Sequence, residues 1–123
     1  MKAVKNTDFF YHFNSAFFHG DRLFIEDHIS DDVVWTIVGS EPISGKQAFL
    51  DAAFGVEDGY QDVDFTIEIS LATNGEAAVK GMMKKKGTAD EPKVYAYCDF
   101  YVMDAESSEK VKELTTFVIE IKE

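Results

Sequence analysis

One carboxylic acid in the sequence stands where a strand pattern would bury it. Asp99 lies in the segment Tyr97-Cys98-Asp99-Phe100-Tyr101, among residues that favour β-structure. A carboxylate in such surroundings is unfavourable unless it is hydrogen-bonded or protonated. Because side chains alternate along a strand, Tyr97, Asp99 and Tyr101 share one face. If that face lines a cavity, Asp99 is the candidate catalytic or ligand-binding group and the two tyrosines assist it. The alternative is that Asp99 faces solvent or is satisfied by a neighbouring strand.

The other reactive residues do not form a recognisable site. His12 and His19 are seven positions apart on one predicted helix, which does not match the spacing of a metal-binding pair, and no Cys or His cluster completes a set. His28 stands near a helix end, where a cation is favoured. Cys98 is the single cysteine, and no adjacent cation activates it. The sequence contains no glycine-rich phosphate loop, so we predict neither a metal nor a cofactor.

Three helices are predicted in the first half of the chain. Apolar residues recur at helical spacing over Thr7–His19, with Thr7 or Asp8 as the N-cap and a glycine at the end. Asp21 caps a second, shorter helix. A third helix is predicted over Lys46–Phe54. The apolar faces of these helices require a sheet to cover them.

The predicted strands follow two patterns. The run Val33–Val38 is apolar at every position but one, which is typical of a strand buried on both faces. From Asp62 onward, apolar and polar residues alternate, and Asn74-Gly75 is a strong hairpin signal. The resulting order is two helices, a strand, a helix and four hairpin-linked strands, an α+β layout. The last four strands are predicted at 62–71, 76–86, 93–103 and 110–121.

Composition limits the kinds of partner. The 123 residues fit a single domain spanning 1–123, and 46% of them are hydrophobic, including eleven Phe. The net charge of −11 argues against nucleic-acid and membrane-surface binding. One cysteine cannot form an internal disulfide, and neither a membrane span nor a signal peptide is evident. We therefore expect a soluble cytoplasmic protein.

The turn after the central strand carries a family resemblance. Asp31-Asp32, the apolar run, Gly39-Ser40-Glu41-Pro42 and then Ser44-Gly45 before a helix resemble the ketosteroid-isomerase and SnoaL-like branch of the NTF2-like superfamily. The order of the predicted elements extends this resemblance over nearly the whole chain. It implies a mostly antiparallel sheet that curves as a cone around the first helix and encloses a pocket.

The resemblance assigns three positions to isomerase chemistry, and two of them lack the required group. The position that matches the catalytic base is Thr36, which is no proton shuttle near neutral pH. The position that matches the oxyanion-stabilising tyrosine is Phe13, which has no donor. Only Asp99 matches the family's strand acid. We therefore predict that the protein lacks true steroid isomerase activity.

The resemblance also predicts a pocket and a dimer. With Thr36 facing inward, Trp35 points to the opposite side, where packing in the core or at an interface is favoured over stacking on a ligand. On the last predicted strand, the side chains that point away from the pocket are Phe117, Ile119 and Ile121. They leave an apolar outer sheet face, which predicts a homodimer. The pocket residues implied are Phe13, Phe17, Thr36, Val38, Phe49, Tyr97, Asp99, Tyr101, Leu114 and Thr116.

Two functions are compatible with these features. In the first, the protein binds a small apolar or mixed-polarity molecule without turnover, or serves as a scaffolding dimer. In the second, it is a cofactor-free isomerase, cyclase or hydratase that acts on a small apolar carbonyl compound through Asp99. The occupants of positions 13 and 36 favour the first.

Overall fold

A computed structural model of the chain describes residues 2–55, 63–85, 93–106 and 110–121. The chain forms three helices and six strands in this part. In chain order they are α1 Lys2–His19, α2 Arg22–Asp27, β1 Ile29–Ile37, β2 Ile43–Ser44, α3 Lys46–Phe54, β3 Val63–Ala72, β4 Glu76–Lys85, β5 Lys93–Met103 and β6 Val111–Ile121.

Two of the helices, α1 and α3, end directly before a glycine, but α1 begins earlier than predicted. It starts at Lys2, so Thr7 and Asp8 lie inside the helix and not at its N-terminus. Neither Pro nor Gly occurs in residues 2–8 to stop the helix from extending backward. At its C-terminal end, Gly20 adopts a φ of 71°, a conformation that favours glycine. Asp21 caps α2 as predicted, because its carboxylate accepts a hydrogen bond from the backbone N–H of Phe24 at 3.2 Å.

The six strands form one sheet in the order β2-β1-β6-β5-β4-β3. All neighbouring pairs are antiparallel except β1 and β6, which run parallel. The predicted α+β class is therefore confirmed: three helices pack on a curved, mostly antiparallel sheet. The short strand β2 was not predicted, because two residues carry no periodic signal.

The core lies between α1 and the sheet face that we call the inner face, which carries Tyr97, Asp99 and Tyr101. Phe10, Phe13 and Phe17 of α1 are almost fully buried. The ring of Phe13 meets that of Tyr101 edge-on, with centroids 5.4 Å apart. Three aromatic residues on one helix face thus fix α1 across the inner face of β5.

The opposite, outer face of the sheet exposes apolar side chains on β5 and β6. Phe100 on β5 and Phe117 on β6 are diagonal neighbours on this face, with ring centroids 5.9 Å apart. Ile119, with 67% of its surface exposed, and Ile121 continue this apolar strip. The strip is the surface on which the sequence predicts a homodimer, and the dimer stays a prediction. No helix in the described ranges is long and apolar enough to cross a membrane.

Candidate functional site

A cavity of about 210 Å³ lies between α1, α3 and the inner face of the sheet. Most of its wall is apolar, and its polar groups cluster on α1, β5 and β6. The apolar lining residues are Phe17, Phe18, Trp35, Ile37, Ala52, Met83, Leu114 and Val118, and the polar ones are Asn14, Tyr97, Asp99 and Thr116, with Trp35 adding an indole N–H.

Asp99 is the centre of the polar cluster and is only 8% exposed. Its Oδ1 accepts a hydrogen bond from the Thr116 hydroxyl at 2.7 Å. Its Oδ2 accepts one from the Asn14 amide Nδ2, also at 2.7 Å. β5 and β6 position the first contact, because Asp99 and Thr116 are directly paired across the two strands. Both carboxylate oxygens are therefore held by donors from different elements.

Asn14 connects the carboxylate to the two tyrosines that flank it on β5. Its Nδ2 donates to the Tyr101 hydroxyl at 3.0 Å as well as to Asp99. Its Oδ1 accepts a hydrogen bond from the Tyr97 hydroxyl at 2.7 Å. Reversing the amide would place its oxygen against the carboxylate, so Asp99 fixes the orientation of Asn14.

Two consecutive hydrogen bonds connect Trp35 on β1, through Thr116 on β6, to Asp99 on β5. The indole Nε1 of Trp35 donates to the Thr116 hydroxyl oxygen at 2.9 Å. A hydroxyl has a single hydrogen, so Thr116 accepts from Trp35 and donates its hydrogen to Asp99. The buried polar network is complete: no buried side-chain nitrogen or oxygen in the described residues lacks a partner.

Burial changes the acid–base behaviour of the cluster. It raises the pKa of Asp99 from 3.8 to about 6, although the hydrogen bonds from Thr116 and Asn14 oppose this rise. Burial, and then the charge of Asp99, raise the pKa of Tyr97 and of Tyr101 well above 10. At neutral pH, Asp99 is therefore mostly an ionised acceptor beside two neutral phenols. A group of this kind can take up a proton near pH 7.

Comparison with known proteins now identifies the family. Residues 10–112 match the SnoaL-like domain. The chain belongs to the SnoaL-like family. No curated protein matches the chain at a significant level.

Solved structures share the fold of this SnoaL-like protein at low sequence identity. An NTF2-like protein of unknown function from Cytophaga hutchinsonii has a TM-score of 0.78 and 18% identity, covering 91% of this chain and 97% of that one. An LEH-like epoxide hydrolase from M. tuberculosis has a TM-score of 0.77 and 12% identity, covering 97% and 86%. A candidate SnoaL-like polyketide cyclase from Jannaschia sp. CCS1 has a TM-score of 0.79 and 8% identity, covering 94% and 86%. At these identities the likeness establishes the NTF2-like fold alone.

The structure brings five of the predicted site residues to the cavity of the SnoaL-like domain. They share the inner face of the sheet or the buried side of α1, and they are Phe17, Tyr97, Asp99, Leu114 and Thr116. Leu114 and Thr116, the side chains of the last strand that were predicted to face inward, therefore do line the cavity. Their part in binding or catalysis remains a proposal.

Three predicted lining residues lie behind the cavity wall. Phe13 and Phe49 have no exposed surface, and Tyr101 is 1% exposed. Phe49 packs against the ring of Trp35, at a centroid distance of 4.9 Å, and Phe13 packs against Tyr101. These aromatic side chains support the wall, because closer side chains separate them from the cavity.

The predicted orientation of β1 is wrong. Trp35 and Ile37 line the cavity, whereas Thr36 lies on the other side of the strand and Val38 is 52% exposed. This is the reverse of the predicted orientation, in which Thr36 and Val38 face inward and Trp35 faces outward. The physical reason is that the large indole fits between α1 and α3, where it packs on Phe17 at 5.7 Å, and its N–H finds a buried acceptor.

Sequence reasoning missed Asn14, although a signal for it was present. Asn14 lies four residues after Phe10 and three before Phe17, so it stands on the buried face of α1. An amide on an otherwise aromatic helix face needs buried partners, and the acid predicted in β5 was such a partner. Among the described residues, no three His, Cys, Asp or Glu side chains come together to hold a metal ion.

Proposed function

We propose that this SnoaL-like protein binds a small, largely apolar molecule in its cavity, with the polar end of that molecule at Asp99. The observation that supports this proposal is the polar cluster around Asp99, which is the one carboxylate among the described residues that line a largely apolar wall. Its two oxygens are held by Thr116 and Asn14, so the acceptor is fixed in place before a ligand binds. Fixed polar groups of this kind give small-molecule sites their specificity.

The size of the cavity limits the ligand. At about 210 Å³ it is smaller than the roughly 300–1,000 Å³ typical of sites for drug-sized ligands. We therefore expect a ligand of one ring or a short branched chain. A four-ring steroid is not the expected ligand.

The second candidate function is cofactor-free catalysis, and the raised pKa of Asp99 favours it. A carboxylate with a pKa of about 6 is ionised at pH 7 and is a better proton acceptor than an ordinary aspartate. Asp99 would then act as a general base in an isomerase, cyclase or hydratase reaction. The names of two structural relatives, an epoxide hydrolase and a candidate cyclase, support this alternative.

The chain carries its own reporter for ligand binding. Trp35 is the only tryptophan and lines the cavity, so its indole N–H gives one resonance in an NMR spectrum of ¹⁵N-labelled protein. We expect saturable shifts of this resonance with small apolar compounds. Ala52 is exposed, lines the cavity and lies on α3, whereas Asp99 and its hydrogen-bond partners lie on α1, β5 and β6. The substitution Ala52→Phe should therefore fill the site and abolish the shifts, and Ala52→Ser is the matched control.

Two results would separate the candidate functions. Binding without conversion of the compound, unchanged by long incubation, supports a binding protein. Conversion that is lost in Asp99→Asn supports an enzyme. If a broad set of small apolar compounds leaves the Trp35 resonance unmoved, both proposals fail.

A further inference from the structure

The polar side chains that line the cavity already donate all their hydrogens, either to one another or to the Tyr101 hydroxyl behind the wall. The two N–H bonds of Asn14 point to Asp99 and Tyr101. The Tyr97 hydroxyl donates to Asn14. The Thr116 hydroxyl donates to Asp99, and the indole N–H of Trp35 donates to Thr116.

What remains available to a ligand is acceptor capacity. An ionised carboxylate offers about four lone-pair positions, and two of those on Asp99 are occupied. A ligand carbonyl or oxyanion needs a donor, and would have to break a bond of the network to obtain one. A ligand N–H or O–H needs only an acceptor and leaves the network intact. A ligand that donates a hydrogen bond therefore fits the site better than a ligand that only accepts one.

The negative charge of Asp99 limits further which kind of hydrogen-bond donor fits the site. None of the described residues that line the cavity carries a positive charge, so Asp99 is a buried anion that is stabilised by hydrogen bonds alone. A buried charge without an opposite charge is costly. The chain as a whole has a net charge of −11, which attracts cations to it. A cationic donor would balance the charge that an alcohol leaves uncompensated.

We infer that the ligand of this cavity is a small apolar amine, bound as its protonated form with the ammonium group donating to Asp99. This inference rests on the proposed binding function and names its ligand class. The apolar part of the amine would contact Phe17, Leu114 and Trp35 along the wall. The aromatic faces of Phe17 and Trp35 add a cation-binding contribution if the ammonium group lies over them.

Three compounds with one carbon skeleton test this inference. α-Methylbenzylamine presents a cationic donor, α-methylbenzyl alcohol presents a neutral donor, and acetophenone presents only an acceptor. Dissociation constants are measured at about pH 8 from the Trp35 indole resonance. Both donors would bond to the ionised carboxylate, but only the amine adds the attraction of an opposite charge, so we expect the amine to bind about tenfold more tightly than the alcohol. Acetophenone should bind most weakly.

A pair of variants assigns the preference to Asp99. Asp99→Asn should reduce the affinity for the amine to that for the alcohol. Asp32→Asn is the matched control, because Asp32 is an exposed acid on β1 and its removal changes the net charge equally. The control variant should keep the preference for the amine.

The pH dependence of the wild-type protein gives an independent measurement if Asp99→Asn does not fold. The titratable groups that face Asp99 are Tyr97 and Tyr101, whose pKa values burial raises above 10. Asp99 is thus the group in the cluster whose charge changes around pH 6. The preference for the amine should be present at about pH 8 and lost at about pH 5.

Each outcome decides between the two proposals. Equal or tighter binding of the alcohol or the ketone overturns the amine inference and leaves the binding function standing. A preference for the amine that survives in Asp99→Asn or at about pH 5 also overturns it. If none of the three compounds shifts the Trp35 resonance, while a broader set of uncharged apolar compounds does, the inference fails alone. If no compound shifts the resonance, the proposed function fails with it.

Discussion

Replacing Asn14 by Leu should destabilise the protein, and by more at high pH than at low pH. The substitution keeps the approximate volume of the side chain but removes three hydrogen bonds, to Asp99, Tyr97 and Tyr101. The bond to an ionised carboxylate contributes about 2 kcal/mol and each neutral bond about 1 kcal/mol. Burial of the leucine side chain offsets about 1 kcal/mol. The expected decrease in the free energy of unfolding is about 3 kcal/mol at pH 8.

The pH dependence follows from the protonation of Asp99. Below its pKa of about 6, Asp99 is neutral and the bond from Asn14 is no longer charge-assisted. The loss caused by Asn14→Leu should therefore shrink by about 1 kcal/mol between pH 8 and pH 5.

Urea unfolding measures this prediction directly. Trp35 fluorescence reports on the cavity and far-UV circular dichroism reports on the whole chain, so coincident transitions would establish two-state unfolding. Ser15→Ala is the control on the same helix, since the Ser15 hydroxyl donates a solvent-exposed hydrogen bond to the backbone carbonyl of Tyr11. The control should change stability by no more than about 0.5 kcal/mol. A loss in Asn14→Leu below about 1 kcal/mol, or one equal at both pH values, would refute the network as described.

Three further predictions concern Asp99, its second donor and the outer face. Burial raises the pKa of Asp99 from 3.8 to about 6, so its ionisation should reduce stability by about 3 kcal/mol as the pH rises from about 3 to 8. The difference between the unfolding free energies of the wild type and Asp99→Asn over this range tests the prediction. Thr116→Val removes the donor to Oδ1, so the pKa of Asp99 should rise further, which a ¹³C NMR titration of the carboxyl carbon measures; a fall would contradict the reasoning. Ile119→Lys places a charge in the exposed apolar strip and should convert the predicted homodimer to a monomer in sedimentation experiments. Leu23→Lys, at an exposed position on α2, is the control, and a wild-type monomer would refute the dimer.

The sequence predicted the class and order of the elements because their patterns are local. The alternation along β5 places Tyr97, Asp99 and Tyr101 on one face whatever that face packs against, and the structure has them on one face. The helical spacing of Phe10 and Phe17 likewise fixes the buried side of α1. The position of Asn14 followed from the same spacing, so its place in the site was readable although we did not predict it.

The orientation of β1 was decided only by the tertiary structure. The segment Val33–Val38 is apolar on both faces, so its local pattern is satisfied equally by either orientation. The choice depends on which pocket accepts the indole of Trp35 and where its N–H finds an acceptor. That acceptor is Thr116, which is 81 residues away in the sequence. A contact of such separation has no local signal.

The existence of the cavity was also a tertiary outcome. Eleven phenylalanines were enough, from composition alone, either to fill the space inside the sheet or to surround it. The described core residues Phe10, Phe13 and Phe49 pack behind the wall, whereas Phe17 stands at its surface. The rings that fill the interior come from different elements, and how they pack against one another decides whether a space remains. The sequence therefore predicts which residues are buried more directly than it predicts whether they leave a cavity.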